Sequence, residues 1–536
     1  MPPRKKQDQV TLPGMTSTRD LHDTLWKAAD KLRGSMDAAQ YKDFVLGMVF
    51  LKYVSDSFAE RREQIRAEVL ADGVPEERIE AFLDDVDEYK REGVFWVPEN
   101  ARWHVLAQQT KGGNPGEVID AAMDSIMKAN ETLTGVLSKI FNRDNVDQRR
   151  LAELVDLIGD ARFTGHDGKS ARDVLGEVYE YFLERFARAE GKRGGEFYTP
   201  ASVVRLLVEV LEPYSGRVYD PCCGSGGMFV QAEKFVLAHR GRRDDIAVYG
   251  QESNERTWRL ATMNLAIHGI SGDLSTRWED TFREDKHPDI KADFILANPP
   301  FNMSDWARKT DDPRWRYGVP PAGNANFAWL QHMIYKLAER GTAGIVLANG
   351  SMSSQHSGEG EIRAGMVQAD LVACMIALPT QLFRTTQIPA CLWFLAKDKS
   401  PQDTKNLADR RGQVLFIDAR SMGTMVSKTE RVFLDEESRR IADAYQAWRG
   451  TTSARSAGLT YEDVPGFCYS AAIEEIREHS HVLNPGRYVG TAEVEDGDGE
   501  LIADKIERLT KELLACFDES GRLEQLVRAK LGGIDG

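Results

Sequence analysis

Four consecutive residues, Asn298-Pro299-Pro300-Phe301, could between them handle an aromatic amine. They directly follow an apolar run, 294–297, that reads as a strand. Proline has no N–H and biases the residue before it towards extended geometry, so the string makes a stiff turn at the strand end. There the Asn298 amide and the Pro299 carbonyl can point at one ligand and accept both hydrogens of an exocyclic –NH2. The lone pair of such an amine is delocalised into its ring and is a poor nucleophile. Two acceptors on the amine hydrogens favour the pyramidal form, whose lone pair can attack a methyl sulfonium. Phe301 adds a ring face on which a base can stack. A plain turn after a strand is the alternative for the same four residues.

A second string, Val218-Tyr219-Asp220-Pro221-Cys222-Cys223-Gly224-Ser225-Gly226-Gly227, puts a carboxylate at a strand end and a glycine-rich turn before a helix. Glycines allow a sharp turn and a close backbone approach to a ligand. A dinucleotide fingerprint would place glycine three positions after Gly226, where Phe229 stands. That weakens a pyrophosphate reading and suits a nucleoside carrying an amino-acid tail. Glu252 follows the apolar run 246–249, and a carboxylate at the end of a second strand is where ribose hydroxyls would be gripped. Asp280, in Trp278-Glu279-Asp280-Thr281-Phe282, holds the equivalent place after a third strand and could accept from an adenine amino group. Each acid alone also fits a solvated surface carboxylate. Their order along one sheet edge favours binding.

Positioning these groups requires strands and helices in alternation. Helical patterns at 202–211, 228–240, 254–268 and 326–340 interleave with apolar runs at 217–220, 246–249, 294–297, 344–348, 371–378 and 391–396. Such alternation predicts an α/β fold with a doubly wound, mainly parallel sheet. The chain before it is helical in pattern, over 17–34, 37–71, 75–91, 117–141, 148–158 and 173–188. That region reads equally as a bundle that only packs or as a module serving substrate or partner contacts. Residues 400–470 mix short strand-like and helical pieces without a motif, and the acidic stretch 490–500 reads as a flexible linker. A final amphipathic helix over 501–530 either folds back on its own domain or pairs with a partner protein. The expected domains are a helical one over 1–170, a sheet domain over 171–470 and an extension with a partner-binding helix over 471–536.

Composition narrows the class. At 536 residues, 42% hydrophobic and 29% charged, the chain is an ordinary globular protein large enough for a sizeable core. Its longest apolar run, 44–51, is far short of the roughly 18 residues of a membrane span, and the basic N-terminus lacks the apolar stretch of a secretory signal. A soluble, cytoplasmic protein without a membrane role is expected. The six cysteines show no zinc spacing and read as reduced thiols; no metal site is assigned. A net charge of −15 opposes a polyanion, so action on DNA would need a local basic surface or a partner that supplies affinity.

EFYTP at 196–200, DPCCGSGG at 220–227, the acid at Glu252 and NPPF at 298–301, in that order, resemble S-adenosylmethionine-dependent N6-adenine DNA methyltransferases. More closely, nearly the whole chain is similar to the methylation (modification) subunit of type I restriction–modification systems. The helical N-terminal region, GEGEIRAGMV at 358–367, ALPTQLFRTTQIPACLWFLAK at 377–397, LNPGRYV at 483–489 and the last helix all match that layout. The family often has threonine-glycine where this chain has Thr385-Thr386-Gln387. The resemblance implies a methyltransferase (Rossmann-like) sheet domain that binds S-adenosyl-L-methionine. Glu196, Phe197, Tyr198, Thr199 and Pro200, with Gly224, Ser225, Gly226 and Gly227, would line the methionine end of the cofactor, with Asp220 nearby. Glu252 would hold the ribose. Asn298, Pro299 and Pro300 would present the acceptors to an adenine flipped out of the duplex, with Phe301 stacked on it.

The implied partners are DNA, a specificity subunit that reads a split sequence, commonly shared by two methylation subunits, and a restriction subunit for cleavage. The loop 302–323, with Trp306, Arg308, Lys309, Arg314, Trp315, Arg316 and Tyr317, could grip the DNA strand or lie disordered on the surface. Three alternatives stand beside this reading: a stand-alone adenine DNA methyltransferase, a protein glutamine-amide methyltransferase with the same Asn-Pro-Pro-aromatic turn, and a non-catalytic binding component.

Overall fold

The computed structural model describes residues 26, 38–144, 146–160, 171–190, 199–383, 388–402 and 407–491, with 508–511, 513–515, 517, 518, 520, 522 and 523 near the C-terminus. Residues 1–489 form one unit and 490–536 a second.

In the first unit the described strands are β1 (Gly216–Asp220), β2 (Ile246–Gly250), β3 (Gly272–Asp273), β4 (Ala292–Ala297), β5 (Leu337–Ala348), β6 (Val372–Ala377), β7 (Ala390–Ala396), β8 (Gln413–Asp418), β9 (Thr424–Ser427), β10 (Glu430–Val432) and β11 (Cys468–Ala472). Nine of them make one sheet in the order β11-β8-β6-β7-β5-β4-β1-β2-β3, and β9 and β10 pair as a separate ribbon. The sheet is mainly parallel, with β7 antiparallel between β5 and β6 and β11 antiparallel at the β8 edge. From β1 the chain steps outward through β2 and β3, then lays β4 on the other side of β1. This reversal is the topological switch of a doubly wound sheet, and ligands bind there, beyond the carboxyl ends of the strands. Asp220 ends β1, and Asn298 follows the last residue of β4.

Strand residues alternate between two cores, as the period of two demands. Val218, Leu296, Val346 and Ile376 join the core shared with the helical region. Tyr219, Ile295, Ile345 and Met375 join the core of the other face. Both faces are covered, which is why these strands read as continuous apolar runs.

The N-terminal helices brace this sheet from one side. Helix Ala38–Ala71 buries Tyr41, Phe44, Val45, Met48 and Leu51, and Phe44 meets the Phe141 ring edge-on at 4.6 Å. Helix Ala171–Glu190 links it to helix Glu255–His268, where the Tyr179 hydroxyl donates to the Leu260 carbonyl at 3.3 Å. The helix after β2 is therefore clamped between the helical region and the sheet.

Four expectations change. The helix expected over 117–141 ends at Ala129. There the Asn130 side chain accepts from Trp96 N and donates to the carbonyls of Trp96 and Ile126, ending the helix with a tertiary contact. The pattern at 75–91 splits into Glu76–Leu83 and Val86–Lys90, because Asp85 caps the second piece. The helix expected to Arg340 ends at Lys336, and β5 begins at Leu337, paired with Ala292 of β4. Pairing with a buried neighbour outweighs the local helix preference of Ala338, Glu339 and Arg340. Finally, β8 and β11, from the stretch without a motif, extend the main sheet.

The pattern at 17–34 lies outside the described residues apart from Trp26, as does the linker at 492–500. In the second unit the described residues from 508 to 523 are helical, with Leu509, Leu513, Leu514, Phe517 and Leu523 exposed. No described helix is long and apolar enough to cross a membrane.

Candidate active site

The turn after β1 is built by backbone conformations that glycine adopts freely. Gly224 and Gly226 have φ of 55° and 80°, and Gly226 is the N-cap of helix Gly227–Ala238. The turn is locked to β2: Gln251 N donates to Asp220 O, Cys223 N to Gln251 O, and Gly224 N to the Glu252 carboxylate at 3.0 Å. From behind, the Asn264 amide donates to Ser225 O at 2.9 Å. A side-chain carbon at Gly224 or Gly227 would meet nothing within 4 Å, so both border open space.

That space is a cleft of about 570 Å³, its open mouth included. Thr199, Asp220, Gly224, Ser225, Gly227 and Asn298 line it, so residues from 199 to 298 converge there. Asp220 is 2% exposed and accepts from Cys222 N at 3.0 Å. Burial pushes its carboxyl up to about 7, against the pull of that hydrogen bond.

At the end of β4, Asn298 Nδ2 donates to Thr199 Oγ1 at 2.8 Å. Its Oδ1 is buried and, among the described residues, has no hydrogen-bond partner. Among the described residues, no N–H donates to the Pro299 carbonyl. Two acceptors without donors, side by side at a strand end, are costly unless a ligand supplies the hydrogens. Pro299 is buried, while Pro300 and Phe301 are half-buried. The Phe301 ring lies 6.1 Å from that of Phe383, at 67°. Asn302 and Asn326 lock the far side of the turn, Asn302 N and Asn326 Nδ2 each donating to the other's side-chain oxygen.

Other expected residues sit at the rim. Glu252 is half-buried; its carboxylate holds Gly224 N, Asn254 N and Ser253 Oγ, and it touches the cleft through the glycine turn. Asp280 is half-buried beside it, linked by Glu279 N donating to Glu252 O. One Asp280 oxygen accepts from Phe282 N and Arg283 N, so this carboxylate also caps its own turn. Gly226 packs towards helix Glu255–His268, and Pro200 is the N-cap of helix Ala201–Leu211. Glu196, Phe197 and Tyr198 lie outside the described residues.

The loop after the turn is packed, with part of its aromatic and basic side chains turned inward. Trp306, Arg314 and Trp315 are only 7, 9 and 8% exposed, and both indoles sit in the core of one sheet face. Arg314 pairs with Asp312 and donates to Thr281 O and His332 Nδ1, each at 3.0 Å. His332 Nε2 lies 3.2 Å from the Tyr219 hydroxyl. Burial, then the Arg314 charge, hold His332 well below the usual range, so it is neutral and accepts from Arg314. Arg314 thereby braces the turn at 281–282 from within the core. Arg308, Lys309 and Arg316 stay exposed.

Glu180 and Gln231 also line the cleft, and neither was foreseen. Glu180 comes from the N-terminal side, on helix Ala171–Glu190, and pairs with Lys234 at 2.6 Å. A helical glutamate with no motif around it carries no local signal.

Comparison with known proteins agrees with this geometry. Residues 170–497 match the family model "N-6 DNA Methylase", and 21–158 match "HsdM N-terminal domain". The chain is 48% identical over 458 residues to the type I restriction enzyme HindI methylase subunit of Haemophilus influenzae, covering 82% of this chain and 99% of that one. It is 37% identical over 534 residues to the MjaIX methylase subunit of Methanocaldococcus jannaschii, covering 96% and 92%. The crystal structure of a type I restriction-modification methyltransferase subunit from Streptococcus thermophilus superposes with a TM-score of 0.73 at 27% identity, over 88% of this chain and 100% of that one. A switch-point cleft, its glycine turn and paired acceptors after β4 thus sit in a chain that belongs to the N-6 DNA methylase family, as a methylase subunit of a type I restriction enzyme and an adenine-specific DNA methyltransferase.

Proposed function

We propose that this subunit transfers a methyl group from S-adenosyl-L-methionine to N6 of a flipped-out adenine, at a DNA site chosen by a separate specificity subunit. The observation that carries this is the buried Asn298 Oδ1, without a partner among the described residues, on a residue that lines the cleft after β4 and directly precedes Pro299. The residues present fit such a cofactor. Asp220 and Glu252 are acceptors, suited to a ligand rich in hydroxyl and ammonium hydrogens, and the open side of Gly224 and Gly227 admits its body.

When bound, the cofactor supplies an electrophilic methyl sulfonium. Asn298 Oδ1 and the Pro299 carbonyl take the two amine hydrogens and hold the nitrogen pyramidal, and Phe301 stacks on the base. Pro300 keeps the turn stiff. Glu252 would hold the ribose, Asp280 the cofactor's adenine edge, and Thr199, Pro200, Asp220 and the glycine turn would surround the methionine end. Glu196, Phe197 and Tyr198, outside the described residues, would by family resemblance belong to that end as well.

The neutral hydrogen-bonding roles leave affinity for DNA to other surfaces. Arg308, Lys309 and Arg316 on the outside of the 302–323 loop would meet phosphates, and the specificity subunit would supply most base contacts to this acidic chain. Two methylation subunits would share one specificity subunit, a restriction subunit would join for cleavage, and the assembly would act in the cytoplasm. We place the functional divisions at 1–170, 171–470 and 471–536.

Single-molecule sequencing of genomic DNA tests the whole reading in cells carrying this chain or its Asn298→Ala variant. N6-methyladenine at a split, two-part motif should be present with the first and absent with the second. Purified Asn298→Ala should still bind S-adenosylmethionine, and loss of that binding in a folded variant would contradict the role given to Asn298. Methylation at a continuous motif would point to an enzyme needing no two-part reader.

A further inference from the structure

Asn298 can serve its reaction in only one of two amide orientations. With Nδ2 towards Thr199, as here, Oδ1 faces the amine as an acceptor. Turned by half a rotation, the amide would present N–H to N–H, and the amine would lose a partner. A threonine hydroxyl carries one proton and two lone pairs, so it can accept from Nδ2 or donate to Oδ1. Thr199 therefore satisfies either orientation, and the direction of its own proton decides between them.

Among the described residues, the Thr199 side chain makes one hydrogen bond, the one to Asn298. Thr199 also lines the cofactor cleft, opposite the turn that carries Asp220 and Gly224. Its hydroxyl proton is thus left for an acceptor that arrives with the cofactor. Pro200 follows directly and biases the Thr199 backbone to an extended conformation, and the Pro200 carbonyl accepts from Val203 N at 2.9 Å. The hydroxyl is consequently mounted on a fixed point between the two ligands.

Building on the reading of Asn298 as acceptor for the target amine, we infer that Thr199 is a positioning residue that couples cofactor occupancy to adenine capture. An acceptor on the bound cofactor draws the Thr199 proton into the cleft. The oxygen then takes a hydrogen from Asn298 Nδ2, and Oδ1 is left pointing at the amine. Without cofactor nothing fixes the hydroxyl proton, so it can also donate to Oδ1 and admit the amide's unproductive orientation beside the productive one. Coupling of this kind is reciprocal, so a captured adenine also tightens cofactor binding.

The experiment uses the subunit assembled with its specificity subunit and a duplex that keeps adenine at the target position and carries 2-aminopurine as its stacking neighbour, whose fluorescence rises when the adenine leaves the stack. Capture of the flipped base is read by fluorescence with and without S-adenosylhomocysteine, and methyl transfer by single-turnover kinetics. In the wild type, S-adenosylhomocysteine should strengthen capture by roughly tenfold, the scale of one oriented hydrogen bond. Thr199→Val should abolish that enhancement, weaken S-adenosylhomocysteine by the hydrogen bond it loses, and slow methyl transfer about tenfold or more even at saturating cofactor. Thr199→Ser should restore both readouts. Should the valine variant fold poorly, Thr199→Ala compared with Thr199→Ser makes the same test.

A weaker affinity for S-adenosylhomocysteine with an unchanged transfer rate would reduce Thr199 to a wall of the cleft and overturn the proposal. So would an enhancement that survives in Thr199→Val. Failure of the wild type to methylate the duplex at all would instead strike the underlying reading of the site.

Discussion

The two key polar residues of the site, Asp220 and Asn298, are held in states that water would not tolerate at low cost. Asn298 keeps an acceptor buried without a donor, and Asp220 keeps a carboxyl in a place that resists ionisation. Its carboxyl is raised from the ordinary 3.8 to about 7, chiefly by burial. Between those values the folded protein holds a proton that the unfolded chain has released. The stability contribution is therefore complete below 3.8 and is lost as pH rises through about 7. Asp220→Asn should flatten this part of the stability profile, measured by urea unfolding at about pH 5 and about pH 8. A cationic cofactor favours the ionised carboxylate, so its affinity should rise across the same window in the wild type and stay level in Asp220→Asn. A parallel profile in both proteins would remove Asp220 from the cofactor's surroundings.

At the scale of elements, the catalytic turn depends on parts that never touch a substrate. The Asn302–Asn326 amide pair ties the turn to helix Asn326–Lys336, and the chain Asp312–Arg314–His332–Tyr219 ties the following loop to β1. Arg314 also holds the carbonyls of Thr281 and Phe282, one and two residues beyond Asp280. Removing a buried guanidinium leaves Asp312 without its partner, a change that costs about 3 kcal/mol or more. Arg314→Met should lower the urea midpoint accordingly, with little change in the salt dependence of DNA binding by the assembled enzyme. Lys309→Ala and Arg316→Ala should do the reverse, each reducing the slope of log affinity against log salt by about 1 at unchanged stability. An Arg314→Met protein of normal stability whose salt slope falls would return the buried half of the loop to DNA contact.

At the scale of the molecule, a net charge of −15 opposes a polyanion, so affinity for DNA has to come from a local basic surface or from a partner. Its second unit presents Leu509, Leu513, Leu514, Phe517 and Leu523 to solvent along a helical stretch, an arrangement that suits docking to another helix. Deleting residues 501–536 should abolish co-elution with the specificity subunit in size-exclusion chromatography while the first unit remains folded by circular dichroism. Normal co-elution of the truncated chain would rule this helix out as the docking element. The helical N-terminal region has a different task in the first unit: through Tyr179 and Leu260 it steadies the helix whose Asn264 holds the glycine turn.

The sequence by itself determined the chemistry and its order along the chain. Asn-Pro-Pro-Phe after an apolar run, and a carboxylate before a glycine turn, are local devices: proline and glycine restrict or release the backbone within a few residues. Strand–helix alternation determined the doubly wound sheet, because buried parallel strands must be apolar on both faces. Tertiary structure alone decided where helix 326–336 yields to β5, that β8 and β11 join the main sheet, and that Trp306, Arg314 and Trp315 turn inward. It alone brought Glu180 to the cleft and Thr199 to Asn298 across 99 residues. These outcomes rest on which distant surfaces meet. A chain's periodicity records that a residue is buried or exposed on its own element, and it holds no record of the partner that buries it.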